Sequence, residues 1–385
     1  DYDNEEITPY YYATDIDGQN IRAEFTPAAH SAVYRLSPDP EGGDMTLILN
    51  ARNGEMNIDG RSMSGYQYSW GGIKVYIYAE VDRVPVRSGV LAGGSMSDRT
   101  AGSGDEACAV MTFDSTLPVE MRYGVSYIDA AQARENMKRE VGGLSFDKVK
   151  AQTRSEWNAE LGKIMVEGGT EADKEVFYTS LYRCYERPVD IAEYGRYFSP
   201  ADRRVHEGAH HYTDDWLWDT YRATHPLRIL LSESREADML NSLIDYARQS
   251  EQKWLPTFPA VSGDSHRMNC NHGVASMADA MVKGVKGVDF AEGYRYGKAA
   301  VEDKTLAPWR NSKAGYLNKF YREHGYIPAL RPGEGEYLDE VDGWEKRQAV
   351  AVTLGTAYDD WCLSVMAARL GLDAEAGYYA GRWKN

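Results

Sequence analysis

Trp216-Leu217-Trp218-Asp219-Thr220-Tyr221-Arg222-Ala223-Thr224-His225-Pro226 places two indoles, a carboxylate, a guanidinium and an imidazole within one short run. A helix that only fills a core has no use for so many polar groups, and one that meets only water has none for two tryptophans. The mixture suits a ligand that is polar at its edges and apolar on its faces, as a sugar ring is. Trp218 can lie along the C–H face while Asp219 and Arg222 hydrogen-bond the hydroxyls. The same residues also describe a buried helix start with an internal ion pair, and both readings stand on the sequence alone.

Two further clusters have polar groups in apolar surroundings. Tyr358-Asp359-Asp360-Trp361 puts adjacent acids inside a helix otherwise built from Val350, Leu354, Ala357, Val365 and Leu370. Such acids are costly unless paired, hydrated or occupied by ligand. Neighbours on a helix point about 100° apart, so at most one of Asp359 and Asp360 aims straight into a pocket. The other reading is a cap on one side and a buried arginine partner on the other. Met268-Asn269-Cys270-Asn271-His272-Gly273 opens a helix, where Asn271 and His272 either face a ligand or cap the helix. There is no His-x-x-x-His or His-Glu-x-x-His, so zinc is disfavoured. Neither Gly-x-Ser-x-Gly nor a phosphate-cradling glycine loop is present, which disfavours serine hydrolase and nucleotide chemistry.

The elements that must carry these clusters change character along the chain. As far as about residue 139 the chain reads as short alternating strands, among them Met45–Leu49, Lys74–Val81, Ala107–Phe113 and Met121–Ile128, with the stretch from Gly93 to Gly104 expected as a flexible loop. This predicts an antiparallel β-sandwich over residues 1–145. Residues 131–140 and 146–164 carry helical spacing, the second making a linker over 146–170 that ends in a short strand and turn at Met165–Gly169. From residue 171 to 385 helices dominate: 173–186, 216–231 broken or kinked at Pro226, 234–252, 272–283, 290–302 and 348–370. Paired helices with long loops between them predict an α/α toroid, which would bind a ligand at its mouth.

Composition narrows the partners. At 385 residues the chain exceeds one small core, and 43% hydrophobic with 26% charged residues is ordinary for a globular protein. A net charge of −16 argues against nucleic acid, whose phosphates need a basic footprint. Cys108, Cys184, Cys270 and Cys362 form no C-x-x-C pair and read as small buried hydrophobes. No apolar run is long enough for a membrane span.

The ordered motifs resemble glycoside hydrolase family 92. They are Val125-Ser126-Tyr127 with Ala133-Arg134-Glu135-Asn136; Trp157 with Leu161-Gly162-Lys163-Ile164; Leu181-Tyr182-Arg183 with Pro188; Gly195-Arg196-Tyr197; Trp218-Asp219-Thr220-Tyr221-Arg222 with His225-Pro226-Leu227; Asp279-Ala280 with Lys283-Gly284; and Tyr358-Asp359-Asp360-Trp361. The resemblance runs from about Tyr123 to the end. It implies a β-sandwich followed by a six-hairpin α/α barrel, and exo-acting, calcium-assisted, inverting removal of terminal α-linked mannose, α-1,2 first, from mannose-containing glycans by an exported (periplasmic or surface) enzyme. Trp218, Asp219, Arg222, Asn271, His272, Asp359 and Asp360 would then bind the sugar. Asp219 would accept from two hydroxyls, Arg222 would orient it or reach the sugar, and Trp361 would pack behind. The general acid, the base and much of the calcium site would lie beyond Asn385, making this a fragment of a longer protein. Gly355 and Thr356 depart from the family, which usually has a glutamate and an aromatic residue there. Three alternatives stand beside this reading: a toroid glycosidase for another sugar, a non-catalytic glycan binder, and a structural protein with a fully packed α/α core in which Asp219 is salt-bridged to a neighbour.

Overall fold

A computed structural model describes residues 2–18, 20–38, 43–114, 117–382 and 384. The chain divides into two compact units, residues 1–183 and 184–385.

The first unit holds β1 (Tyr2–Thr8), β2 (Tyr11–Ile16), β3 (Ile21–Pro27), β4 (Ser31–Pro38), β5 (Met45–Asn50), β6 (Gly54–Asp59), β7 (Ser62–Tyr68), β8 (Lys74–Val81), β9 (Arg87–Ala92), β10 (Ser95–Ser97), β11 (Ala101–Gly104), β12 (Cys108–Phe113) and β13 (Val119–Ser126). One sheet runs β1-β2-β3-β4-β13-β8-β7-β6-β11 and the other β10-β9-β12-β5. Alternation is what selects the strands: in β6, Met56 and Ile58 are buried while Glu55, Asn57 and Asp59 face out. Met45 and Leu47 of β5 and Met111 and Phe113 of β12 share one core with Met56, Met63, Ile77 and Met121 of the larger sheet. The two sheets thus close on a common apolar layer.

The far face of the larger sheet is covered by α1 (Ala130–Val141) and α2 (Phe146–Leu161), whose Ala133, Met137, Phe146 and Val149 pack on Tyr11, Val33 and Tyr78. Asp129 and Ser145 cap these helices by accepting from the backbone N–H of Gln132 and Lys148. Gly124 lets α1 sit close, since a Cβ there would lie 2.3 Å from the Ala133 carbonyl oxygen. The residues read as a linker, and α3 (Glu171–Arg183), fall in this first unit.

Two local expectations fail here. The stretch from Gly93 to Gly104 is not a loop but carries β10 and β11. Gly93 and Gly94, at φ +56 and +79, supply the tight turn that folds Ser95 back onto Ala92. Met165–Gly169 forms no strand, because Gly168 and Gly169 adopt φ +80 and +70 and turn the chain into α3.

The second unit is helical: α4 (Leu217–Thr220), α5 (Thr224–Leu231), α6 (Glu233–Gln249), α7 (Gly273–Lys283), α8 (Phe290–Glu302), α9 (Tyr316–His324), α10 (Ala349–Arg369) and α11 (Asp373–Arg382). An antiparallel β domain followed by a helical one is the class the sequence implied. Leu240, Leu243 and Ile244 of α6, Val274 and Met277 of α7, Tyr294 and Val301 of α8, and Leu363 and Met366 of α10 form its main core. The break in the Trp216 segment falls between α4 and α5, before Pro226, which sits in the first turn of α5 where a missing N–H leaves no helical bond unmade. Helix α9 was not foreseen, being nine residues without a side-chain N-cap. All four cysteines are free thiols, and Cys108, Cys270 and Cys362 are buried. Among the described residues no helix is long and apolar enough to cross a membrane.

Candidate active site

Helix α4 is a single turn anchored at both ends. Leu217 is fully buried beneath it, while Asp219 is exposed and Trp218 half-buried. Just before it, buried Asp215 accepts from the Thr220 hydroxyl (2.7 Å) at the end of the same turn. The other Asp215 oxygen meets His225 Nε2 at 2.9 Å, and His225 Nδ1 lies 2.7 Å from Glu236 Oε1 on α6. All three side chains are buried. Burial alone would pull the His225 imidazole down, but Glu236 and Asp215 on either side outweigh it and push it up to about 10. His225 is therefore a buried cation at neutral pH. It outweighs the effect of burial on Asp215 too, holding that carboxyl below its ordinary value.

Around this clamp the sequence-predicted residues separate. Among the described residues the Asp219 carboxylate has no hydrogen-bond or ion-pair partner, its backbone N–H alone being bonded, to the Trp216 carbonyl. Arg222 does not orient it: the guanidinium Nε donates to the Tyr221 hydroxyl (3.0 Å) and lies 5.5 Å from that ring's centroid. An exposed arginine one residue from a tyrosine can cover its own neighbour's ring, which motif order does not reveal. Trp216, also half-exposed, carries the Arg187 guanidinium 4.2 Å above its ring.

Tyr221 joins the first cluster to the other two. Its ring lies 4.2 Å from the His272 imidazole, and Tyr358 stands 5.9 Å from both rings and stacks on Trp361 at 5.8 Å. His272 precedes α7, and its Nδ1 contacts Asp359 Oδ1 at 2.8 Å. The second Asp359 oxygen accepts from the Asn271 backbone N–H (2.7 Å). A carboxylate only accepts, so Nδ1 carries a proton and donates it to Asp359. Asn271 does not offer its side chain in the same way, since its Oδ1 accepts from buried Lys304 at 3.4 Å.

Asp359 and Asp360 point apart. Asp360 turns toward α9 and α11, where Oδ2 accepts from the Tyr321 hydroxyl (3.0 Å) and Arg382 Nε (3.1 Å). Burial pushes its carboxyl up to about 7 in spite of Arg382. Its other oxygen, Oδ1, is buried without a hydrogen-bond partner among the described residues, and Asp360 does not share the His272 contact that Asp359 makes.

Several groups here had no sequence signal. Lys304 is buried and donates to Thr257 Oγ1 as well as to Asn271, and burial lowers its affinity for a proton although Asp264 and Asp359 lie near. Asp264 gathers the backbone N–H groups of Thr257, Phe258 and His266. The loop after it holds His266, Met268 and Cys270 at φ +51, +62 and +70, a strained path for residues with side chains. Of the Asp215–His225–Glu236 clamp, only His225 stood out in the sequence, as part of the aromatic motif.

Asp359→Asn is expected to lower the denaturation midpoint at unchanged slope. The amide must turn an N–H toward either Asn271 N–H or the imidazole N–H, at a cost of roughly 1–3 kcal/mol. A midpoint equal to the parent's would show that Asp359 does not hold this loop.

Among the described residues no group of three or more His, Cys, Asp and Glu side chains is placed to hold a metal ion. Asp359 has both oxygens committed to protein donors, and Asp360 one. These residues do not form a calcium cage of carboxylates.

Comparison with known proteins agrees with this architecture. Residues 132–385 match the model of the glycosyl hydrolase family 92 catalytic domain, and residues 1–126 that of the family's N-terminal domain. The structure of a family GH92 α-mannosidase from Bacteroides thetaiotaomicron is similar at 25% identity and a TM-score of 0.86, covering 99% of this chain and 52% of that one. That enzyme has also been solved in complex with mannoimidazole. The family GH92 inverting mannosidase from B. thetaiotaomicron VPI-5482 is 27% identical with a TM-score of 0.87, covering 98% of this chain and 51% of its own. A curated relative from Arthroderma benhamiae, described as an uncharacterized secreted glycosidase, is 25% identical over 277 residues, 69% of this chain and 30% of the relative. The chain thus spans about half the length of these solved relatives and under a third of the curated one.

Proposed function

We propose that this chain, which belongs to glycosyl hydrolase family 92, supplies the sugar-gripping wall of an exported exo-α-mannosidase that removes terminal α-linked mannose, α-1,2 first, with inversion. The observation that carries this reading is Asp219. It is an exposed carboxylate with no side-chain partner among the described residues, next to a half-buried indole, on a turn nailed in place by buried Asp215, His225 and Glu236. Evolving a rigid mount for an unpaired acid makes sense if the acid's hydrogen bonds go to a ligand. A pyranose laid against Trp218 would present hydroxyls to both Asp219 oxygens. His272, whose Nδ1–H donates to Asp359, would in its neutral form accept from another hydroxyl through Nε2 at the Tyr221–Tyr358 side. The mannoimidazole complex of a solved relative is consistent with a mannose-shaped occupant, and the secreted relative with export.

Single-displacement hydrolysis needs a protonated carboxyl on the leaving oxygen and an ionised one on water, about 6.5–9.5 Å apart. We place that pair, together with the calcium ligands, beyond Asn385, and assign no step to the metal here. What this chain does is bind and orient: Asp219 and His272 fix the ring's hydroxyls, and Trp218 fixes its face.

The test is a panel of α-1,2-, α-1,3- and α-1,6-linked mannobiosides and matching glucosides, with products followed by proton NMR. The expected result is free mannose, first seen as the β-anomer. Release of glucose instead would assign the site to another sugar, and binding without release would make it a glycan receptor.

A further inference from the structure

Gly355 lies one helical turn before Asp359 and on the same face of α10. A Cβ at this position would stand 2.0 Å from the Cys270 sulfur and 3.1 Å from Cys270 Cβ, with His272 Cε1 at 3.6 Å. The space a side chain would need is filled by the Cys270 thiol. That thiol is held in turn: it is buried, its backbone sits at φ +70, and it donates to Asn269 Oδ1 (3.0 Å) and faces the Ala351 carbonyl at 3.8 Å. Two more attachments flank it. Asn269 Nδ2 donates to Gln348 Oε1 (2.8 Å) at the start of α10, and the Asn271 N–H and His272 imidazole both end on Asp359.

The loop therefore grips one face of α10 at three levels, and the middle one is a sulfur knob in a notch left by a missing side chain. The hydrogen bonds above and below have some freedom in length. A carbon added at 355 would drive the Cys270 sulfur, 2.0 Å away, out of its notch, and with Cys270 Cβ at 3.1 Å and His272 Cε1 at 3.6 Å the loop itself must then give.

We propose that the Cys270–Gly355 contact is a positioning and specificity-determining device: it sets how deeply the loop seats on α10, and so where His272 Nε2 stands against a sugar hydroxyl beside Tyr221 and Tyr358. The inference rests on the sugar-binding reading above. It makes the two positions interdependent, because any larger residue at 355, a glutamate included, requires a smaller one at 270. The glycine at 355 then has a physical counterpart in Cys270. The floor of this part of the site is sulfur and backbone rather than a carboxylate, so His272 contacts the sugar without a charged neighbour from position 355.

The experiment is a double-mutant cycle in the complete enzyme with Gly355→Ala, Cys270→Gly and the pair. Readouts are KM and kcat on p-nitrophenyl α-mannoside, and the NMR signals and titration of the His272 imidazole. Gly355→Ala is expected to raise KM about 10-fold or more and to move the His272 signals, since a displacement near 1 Å in a positioned group has effects of this order. Cys270→Gly alone, which only loosens the seat, is expected to raise KM roughly 3-fold with kcat unchanged. The pair should return KM and the His272 signals to the Cys270→Gly values. The proposal is overturned if Gly355→Ala leaves KM and His272 unchanged, or if the pair is as impaired as Gly355→Ala. If Gly355→Ala does not fold, Cys270→Gly decides alone: unchanged KM and unchanged His272 signals overturn it. Should the parent neither hydrolyse nor bind the mannoside, the mannosidase reading falls, while the His272 signals across the cycle still judge the contact.

Discussion

Asp219→Ala is expected to reduce kcat/KM on an α-mannoside by about 10²- to 10⁴-fold while leaving the unfolding temperature where it was. The magnitude follows from two charge-assisted hydrogen bonds to sugar hydroxyls, each worth roughly 1.5–3 kcal/mol, at about 1.4 kcal/mol per tenfold. The unchanged stability follows from the side chain's surroundings, because an exposed carboxylate with no partner among the described residues leaves none of them unsatisfied when it is cut away. Asp219→Asn keeps one acceptor and should fall between the two. Steady-state kinetics with calorimetry on the same preparations checks both halves. Parent-like kinetics would reject Asp219 as a sugar ligand, and a large loss of stability would make it structural instead. Arg222 gives a contrast, since its bond to the Tyr221 hydroxyl predicts that Arg222→Met disturbs the ring lying on His272 rather than the carboxylate itself.

How far the sequence discloses such a site depends on where each group's partner lies. Strands such as Lys74–Val81 announce themselves by composition, yet nothing local says that β13 inserts between β4 and β8. The glycines at 93 and 94 look like a loop because a flexible linker and a two-residue hairpin turn use the same residue for different reasons. In the site, Trp218, Asp219, His272 and Asp359 are legible as polar or amphipathic groups in apolar company. The divergence of Asp359 and Asp360 follows from helix geometry alone. Glu236 is not legible: in sequence it is an ordinary acid in the first turn of a helix, where the dipole welcomes one, and only the fold brings it against His225. Lys304 is equally silent, a lysine at a helix end that the topology buries beside Asn271. Nothing around Gly355 in the sequence shows why it is a glycine, because the side chain that fills its notch belongs to Cys270, 85 positions earlier.

His225→Leu is expected to unfold the helical unit or come close to it. The change leaves Asp215 and Glu236 buried without the cation between them, and removing one member of a buried charge cluster costs about 3–5 kcal/mol. The parent should betray the same cluster through pH. An imidazole with an ordinary value of 6.5, pushed up to about 10 in the fold, contributes stability that is fully present below about 6.5 and drains away as pH rises toward 10. Asp215, held below its ordinary 3.8, contributes stability that is present above that value and lost as pH falls beneath it. Asp360 adds a separate decline as pH rises from about 4 to 7, because its buried carboxyl, raised from 3.8 to about 7, favours the protonated form in the fold. Below pH 7 buried His211, pushed down from 6.5 to about 4, contributes stability that grows as pH rises and opposes Asp360, so the parent's denaturant midpoints are expected to fall from about pH 7 to 10. Asp360→Asn should make the midpoints rise more steeply with pH between 4 and 7 than in the parent and leave the part above pH 7 unchanged. A flat profile above pH 7 in the parent would mean that His225 is neutral in the fold and that the clamp is not an ion cluster. Replacing all three members together, as Asp215→Asn with His225→Leu and Glu236→Leu, removes the stranded charges and should restore folding. If that triple variant folds but binds mannoside poorly, with KM raised and kcat little changed, the clamp's contribution is to hold α4 and its unpaired Asp219 still.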